Sequence, residues 1–97
     1  MKNYLYIDDI RIPHIINGYQ VYIARNYNEA IQALTQQYFD IVSFDHDLGE
    51  TKSGYDIAKY LVENQIKIGA FRIHSMNVVG KKNISELLTH YGYIEVY

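Results

Sequence analysis

From Val21 onward the chain alternates runs suited to β-strands with segments of helical period. That alternation narrows the fold more than any other feature. Strands joined through helices pair in parallel, and the helices cover both faces of the sheet. "VYIA" (Val21–Ala24) is one such strand, and Asn26 opens the helix after it. Asn26 and Glu29 have the spacing of a capping box, and Tyr27, Ala30, Ile31, Leu34 and Tyr38 fall on one helical face. Asp40–Asp45 reads as a strand built on Ile41, Val42 and Phe44. Ser53 caps the next helix with Asp56 three residues on, and Tyr55, Ala58, Leu61 and Val62 form its buried stripe. Phe71–His74 is a further strand. Ile84, Leu87, Leu88 and Tyr91 repeat at helical spacing until Gly92 stops the helix, and Tyr93–Tyr97 reads as a closing strand.

Ahead of this pattern, "YLYID" (Tyr4–Asp8) is a β-rich run ending in acid. Asp9–Gly18 holds the sole proline, Pro13, and reads as a loop or single turn where a helix would ordinarily stand. If the first two strands are parallel, the chain must cross over with about a dozen residues, near the practical minimum. The expected architecture is α/β: a parallel five-stranded sheet of order 2-1-3-4-5 with helices on both faces, the first helix missing or reduced. A chain of 97 residues leaves room for one core, so residues 1–97 are expected to form a single domain.

Composition excludes several functions. The net charge of −2 gives no extensive nucleic-acid surface, and no apolar run approaches a membrane span. The absence of cysteine removes disulfides, thiolate metal sites and a cysteine nucleophile. It fits a reducing compartment, and with an N-terminal apolar run too short for a signal peptide the expected location is cytoplasmic. The eleven tyrosines read as half-buried packing residues, with a base-stacking platform as the alternative.

The polar outliers collect at strand ends. The first strand ends in Asp8-Asp9, followed by Arg11; the third in Asp45-His46-Asp47; the fourth in His74-Ser75, followed by Asn77. In open parallel α/β sheets ligands bind beyond the carboxyl ends of the strands, where strand order reverses. With order 2-1-3-4-5 the three motifs converge on one crevice. Crowded carboxylates resist ionisation unless a cation relieves their repulsion. Asp8, Asp9, Asp45 and Asp47 supply the hard oxygens that Mg²⁺ or Mn²⁺ prefers. His46 and His74 are suited to proton transfer, and Arg11 can fork onto a phosphate. "HSMNVVGKKN" (His74–Asn83) adds Ser75, Asn77, Gly80 and Lys81 ahead of a helix whose N-terminus can hold phosphate. Each residue also has a plainer reading: Asp9 as a cap, His74 as packing, Arg11 as an ion-pair partner, Lys81 and Lys82 as solvated charge, Gly80 as a turn. Alternation along a strand would also send Asp45 and His46 to opposite sides, leaving His46 to pack or brace a loop unless the strand has already ended.

The segments "IDDIRIP", "ARNYNEAI", "FDHDLGE", "SGYDIAKYL" and "HSMNVVGKKNI" together resemble the cyclic-phosphate-processing receiver-like family, a divergent branch of the two-component receiver superfamily. The similarity spans nearly the whole chain. It implies a receiver/flavodoxin-like fold and metal-dependent processing of a cyclic phosphate ester, such as a cyclic nucleotide or a 2′,3′-cyclic phosphate end. It implies Asp8, Asp9 and Asp45 as metal-binding acids. It also implies His46, Asp47, His74, Ser75 and Asn77 as polar additions of this branch, with Arg11 as the arginine of the first motif. Two departures from a signalling receiver stand out. The last strand, "YIEVY", carries no lysine, no lysine follows Ser75 except Lys81 and Lys82, and the first helix is curtailed. Three functions follow: a phosphodiesterase with His46 and His74 as base and acid, a non-catalytic module that sequesters a cyclic nucleotide, and a stand-alone receiver phosphorylated at Asp45.

Overall fold

The computed structural model describes all residues, Met1–Tyr97. Four strands and three helices follow one another as β1 (Lys2–Ile7), β2 (Tyr19–Ala24), α1 (Tyr27–Gln36), β3 (Ile41–Phe44), α2 (Gly54–Glu63), β4 (Ala70–Ile73) and α3 (Val78–His90). The strands form one sheet of order β2-β1-β3-β4, and every pair is parallel. The order thus agrees with expectation over four strands, and the fifth strand is reduced to one bridge between Phe71 and Glu95. The Tyr93 hydroxyl meets the carbonyl oxygens of Ile66 (2.5 Å) and Leu61 (3.2 Å), which ties the start of that segment to the turn after α2 rather than to the sheet edge.

The sheet has two unlike faces. The row Ala24, Ile7, Phe44 and Ile73 runs across all four strands in register, and each of these side chains is buried in the core. The same core takes Ala30 and Leu34 from α1, Ile57, Ala58 and Leu61 from α2, and Ile84 and Leu88 from α3. All three helices therefore cover this face. The adjacent row, Ile23, Tyr6, Ser43 and Arg72, points the other way. No helix covers it, which corrects the expectation of helices on both faces. The cause is the β1–β2 connection. Right-handed crossovers place it opposite the other three, because β2 lies on the far side of β1 from β3 and β4. That connection is the helix-free segment 8–18.

The helix starts follow the sequence in part. Asn26 accepts the Glu29 N–H (2.9 Å), but the Glu29 carboxylate accepts from Arg25 N–H (2.7 Å), so the second half of the expected capping box falls one residue early. At α2 the Asp56 carboxylate accepts the Ser53 N–H at 2.8 Å, as the spacing predicts. The inward stripe of α2 includes Ile57, which the sequence reading passed over, while Tyr38 and Tyr91 are exposed rather than on the buried faces of their helices. No helix is long and apolar enough to cross a membrane.

Candidate functional site

The strands β1, β3 and β4 each end one residue short of a polar group that still extends the ladder. Asp8 N–H donates to Ala24 (3.1 Å), Asp45 N–H to Ile7 (3.0 Å) and His74 N–H to Phe44 (2.9 Å). The three residues therefore sit on fixed backbone at the carboxyl ends of the sheet. Side-chain atoms of Asp8, Asp45 and His74 come within 4.8 Å of one another.

Asp8 is the most constrained residue of the site. It has no exposed surface, yet lies just beneath the crevice. Its Oδ1 accepts the backbone N–H of Ile10 (3.0 Å) and Arg11 (2.9 Å), which folds the chain sharply after β1. Its Oδ2 accepts from His74 Nε2 at 3.0 Å, with Arg11 Nε 3.9 Å away. Burial pushes the Asp8 carboxyl up, but the two backbone donors and His74 together hold it below the usual carboxylate range. Asp45 lacks that support. Burial first, then the negative charge of Asp8, push its carboxyl up, against the pull of His74, Ser75 and Arg11.

His74 is fixed at both nitrogens. A carboxylate only accepts, so Nε2 carries the proton given to Asp8, and Nδ1 accepts from the Ser43 hydroxyl at 2.7 Å. Its ring stacks on Tyr6 with centroids 4.3 Å apart. The histidine thus orients Asp8, and both of its ring nitrogens are engaged. The Arg11 guanidinium donates to the His74 carbonyl (3.2 Å).

A cavity of about 340 Å³ opens above these groups, lined by Asp8, Asp9, Arg11, Asp45, Asp47 and Ser75. Gly49, at φ 68°, closes against Asp9, where a Cβ would crowd the carboxylate. These residues converge as the sequence suggested. The remainder separates from them. Just beyond the end of β3, the His46 ring packs on Gly80, where any Cβ would collide with it. His46 Nδ1 lies 3.0 Å from Asp47 Oδ1, and Asn77 donates to Asp47 Oδ2 at 3.2 Å. The Asn77 side chain also caps α3 by accepting the Gly80 N–H (2.8 Å). That donor is consequently not free for a phosphoryl oxygen, and Gly80 serves close packing. Lys81 is exposed on α3 and does not line the cavity.

Five residues at or near the site had no signal strong enough to single them out. Arg25 donates to the carbonyl oxygens of Asp8 (3.0 Å) and Arg11 (2.6 Å), bracing the turn. Tyr6, Ser43 and Arg72 stand in one row under His74. A serine and an arginine inside otherwise apolar strands were the available clue. Glu50, in the loop after Asp47, accepts the Tyr27 N–H at 2.7 Å and so ties that loop to α1.

The donor set fits a hard divalent cation. Asp8 and Asp45 are buried carboxylates within reach of one another, Asp9 joins them at the cavity, and burial with the charge of Asp8 raises the Asp45 carboxyl. A parallel sheet of order 2-1-3-4 with acids at the ends of β1 and β3 is the arrangement of a receiver domain. The solved structures agree on the fold. A response regulator TrrA from Thermotoga maritima, in complex with Mg²⁺-BeF, superposes with TM-score 0.70 at 17% identity, covering 99% of this chain and 85% of that one. The Vibrio cholerae chemotaxis protein CheY4 gives 0.68 at 18% identity, covering 98% and 83%. A Burkholderia pseudomallei response regulator with a phosphorylated aspartic acid, calcium ion and citrate gives 0.64 at 21%, covering 98% and 58%. No curated protein matches in sequence. The family model for the cyclic-phosphate processing receiver domain matches residues 3–90, and the chain belongs to that family.

Proposed function

We propose that this domain binds a cyclic phosphate ester, a cyclic nucleotide or a 2′,3′-cyclic phosphate end, and hydrolyses it with a divalent cation, Mg²⁺ or Mn²⁺. The observation that carries this reading is the buried Asp8–Asp45 pair beneath a polar cavity, in a family described as cyclic-phosphate processing. A cation held by Asp8, Asp9 and Asp45 would supply charge neutralisation at the phosphodiester. Asp8 is pre-set for this by its two backbone donors and His74, so its carboxylate needs no reorganisation. Arg11 lines the cavity and can donate to phosphoryl oxygens. Ser75 and Asp47 line its other side, where they can orient a water or the leaving hydroxyl.

A second reading keeps the same pocket and makes Asp45 the phosphoryl acceptor. It is favoured by the position of Asp45, a carboxylate at the end of the central β3 with Ser75 nearby, and by the phosphorylated aspartic acid of the Burkholderia neighbour. A sequestering role would use the pocket without turnover. The test is incubation with Mg²⁺ or Mn²⁺ and a panel of cyclic mononucleotides, cyclic oligonucleotides and 2′,3′-cyclic RNA ends, read by mass spectrometry. A metal-dependent product that Asp45→Ala abolishes is the expected result. Ligand retained intact would replace hydrolysis by sequestration. A phosphoryl adduct on Asp45 from a small phosphodonor, with no cyclic ester consumed, would replace it by the receiver role.

A further inference from the structure

A second cavity, about 400 Å³, lies on the helix-free face of the sheet, directly under His74. The segment 8–18 roofs it with Ile12, Pro13 and Ile16, and the sheet floors it with Tyr4, Tyr6, Ser43 and Arg72. It adjoins the acid cavity: Arg11 lines both, and His74, which lines this one, bonds Asp8, which lines the other. Its size falls within the range of small-ligand sites.

Arg72 is the group that this cavity leaves unanswered. Its Nε is the one buried side-chain nitrogen or oxygen of the molecule with no hydrogen-bond partner, and the guanidinium forms no ion pair. A buried polar group without a partner is costly, and a guanidinium can only donate. Arg72 lines this cavity, so an occupant that meets its guanidinium does so with acceptors. The apolar roof and the tyrosine floor favour a flat, largely apolar body. With a phosphate at the adjoining acids, the occupant is a nucleotide.

We propose that this cavity receives the base of the cyclic nucleotide and that Arg72 selects guanine. Arginine pairs bidentately with the O6 and N7 acceptors of guanine, whereas adenine offers N7 beside an N6 amino donor that Arg72 cannot satisfy. The inference rests on the cyclic-phosphate reading above. It adds a residue that chooses among substrates while standing outside the acid cavity.

The test compares guanosine and adenosine cyclic monophosphates, in both 3′,5′ and 2′,3′ forms, by calorimetry in Mg²⁺. Wild type, Arg72→Met and Arg72→Lys are measured, and Mn²⁺ binding followed by electron paramagnetic resonance reports on the acids. The expected result is guanosine bound roughly tenfold or more tighter than adenosine. Arg72→Met should erase that preference while Mn²⁺ binding is retained. Equal binding of both bases by wild type, or a preference that survives Arg72→Met, would overturn the role of Arg72 and leave the cyclic-phosphate reading standing. If neither nucleotide binds although Mn²⁺ does, the base-pocket proposal falls, and the wider panel of cyclic esters above decides the cyclic-phosphate reading. The wild-type comparison decides the question even where a variant does not fold.

Discussion

The two histidines of the strand-end motifs occupy different kinds of place. His74 lies at the carboxyl end of β4 with both ring nitrogens bonded, one to Asp8 and one to Ser43, and its face against Tyr6. His46, next to the central acid in sequence, turns to the other side and fills the space that Gly80 leaves at the start of α3. Proximity in sequence to Asp45 therefore says little about membership of the acid site. The direction of each side chain decides it: Asp45 and Asp47 line the cavity, while His46 between them packs on Gly80.

The difference can be broken by substitution. His74→Ala leaves the Ser43 hydroxyl and an oxygen of Asp8 without partners, both within buried residues. A loss of roughly 2–3 kcal/mol in chemical denaturation is expected. A change no larger than that of His46→Ala would mean the Asp8–His74–Ser43 chain does not hold the site.

Gly80→Ala tests the other side. Its Cβ enters the space of the His46 ring, and overpacking of this kind costs about 1–2 kcal/mol. His46→Ala in the same chain should recover most of that loss, because the collision disappears. Additive losses in the double variant would show that the two residues do not share one space.

The smallest effect concerns the loop that carries both outcomes. The Gly54 N–H of α2 donates to the His46 carbonyl at 2.8 Å, so the cap of α2 anchors the segment after Asp45. The Ser53 backbone N–H first, then its hydroxyl, Lys52 and Lys59, outweigh burial and hold the Asp56 carboxyl below its ordinary value. Its folded pKa is thus lower than its unfolded one. The stabilisation is present above the unfolded value and is lost as pH falls through the folded one. Asp56→Asn should cost about 1 kcal/mol at neutral pH and flatten stability against pH in the acid range, read by thermal melts. An unchanged acid slope would remove Asp56 from the account.

The sequence made the crevice legible because its signals are local. Acids that close β-rich runs, Ser53 with Asp56, and the helical stripes all fall within a few residues of one another. The missing parts depend on what lies across the sheet. Ser43 reads as a lapse in an apolar strand until the register sets it beside Tyr6 and Arg72. The bare face follows from the handedness of one connection. The fifth strand was expected from composition, but its first residue is held by carbonyl oxygens beyond the reach of any periodicity. Gly80 and Asn77 show why sequence alone leaves such residues open: a packing glycine and a helix cap use the same residue types as a phosphate loop.

The central claim is that Asp8 and Asp45 form a divalent cation site. Its most direct test is the melting temperature of wild type and Asp45→Asn with and without Mg²⁺. An ion at about a hundredfold over its Kd adds about 2.7 kcal/mol, a rise of roughly 10–20 °C for a domain of this size. The account predicts that rise in wild type. It also predicts that Asp45→Asn melts higher than wild type without metal, since it removes the repulsion with Asp8, and gains nothing from Mg²⁺. An equal rise in both proteins, or none in either, would contradict it.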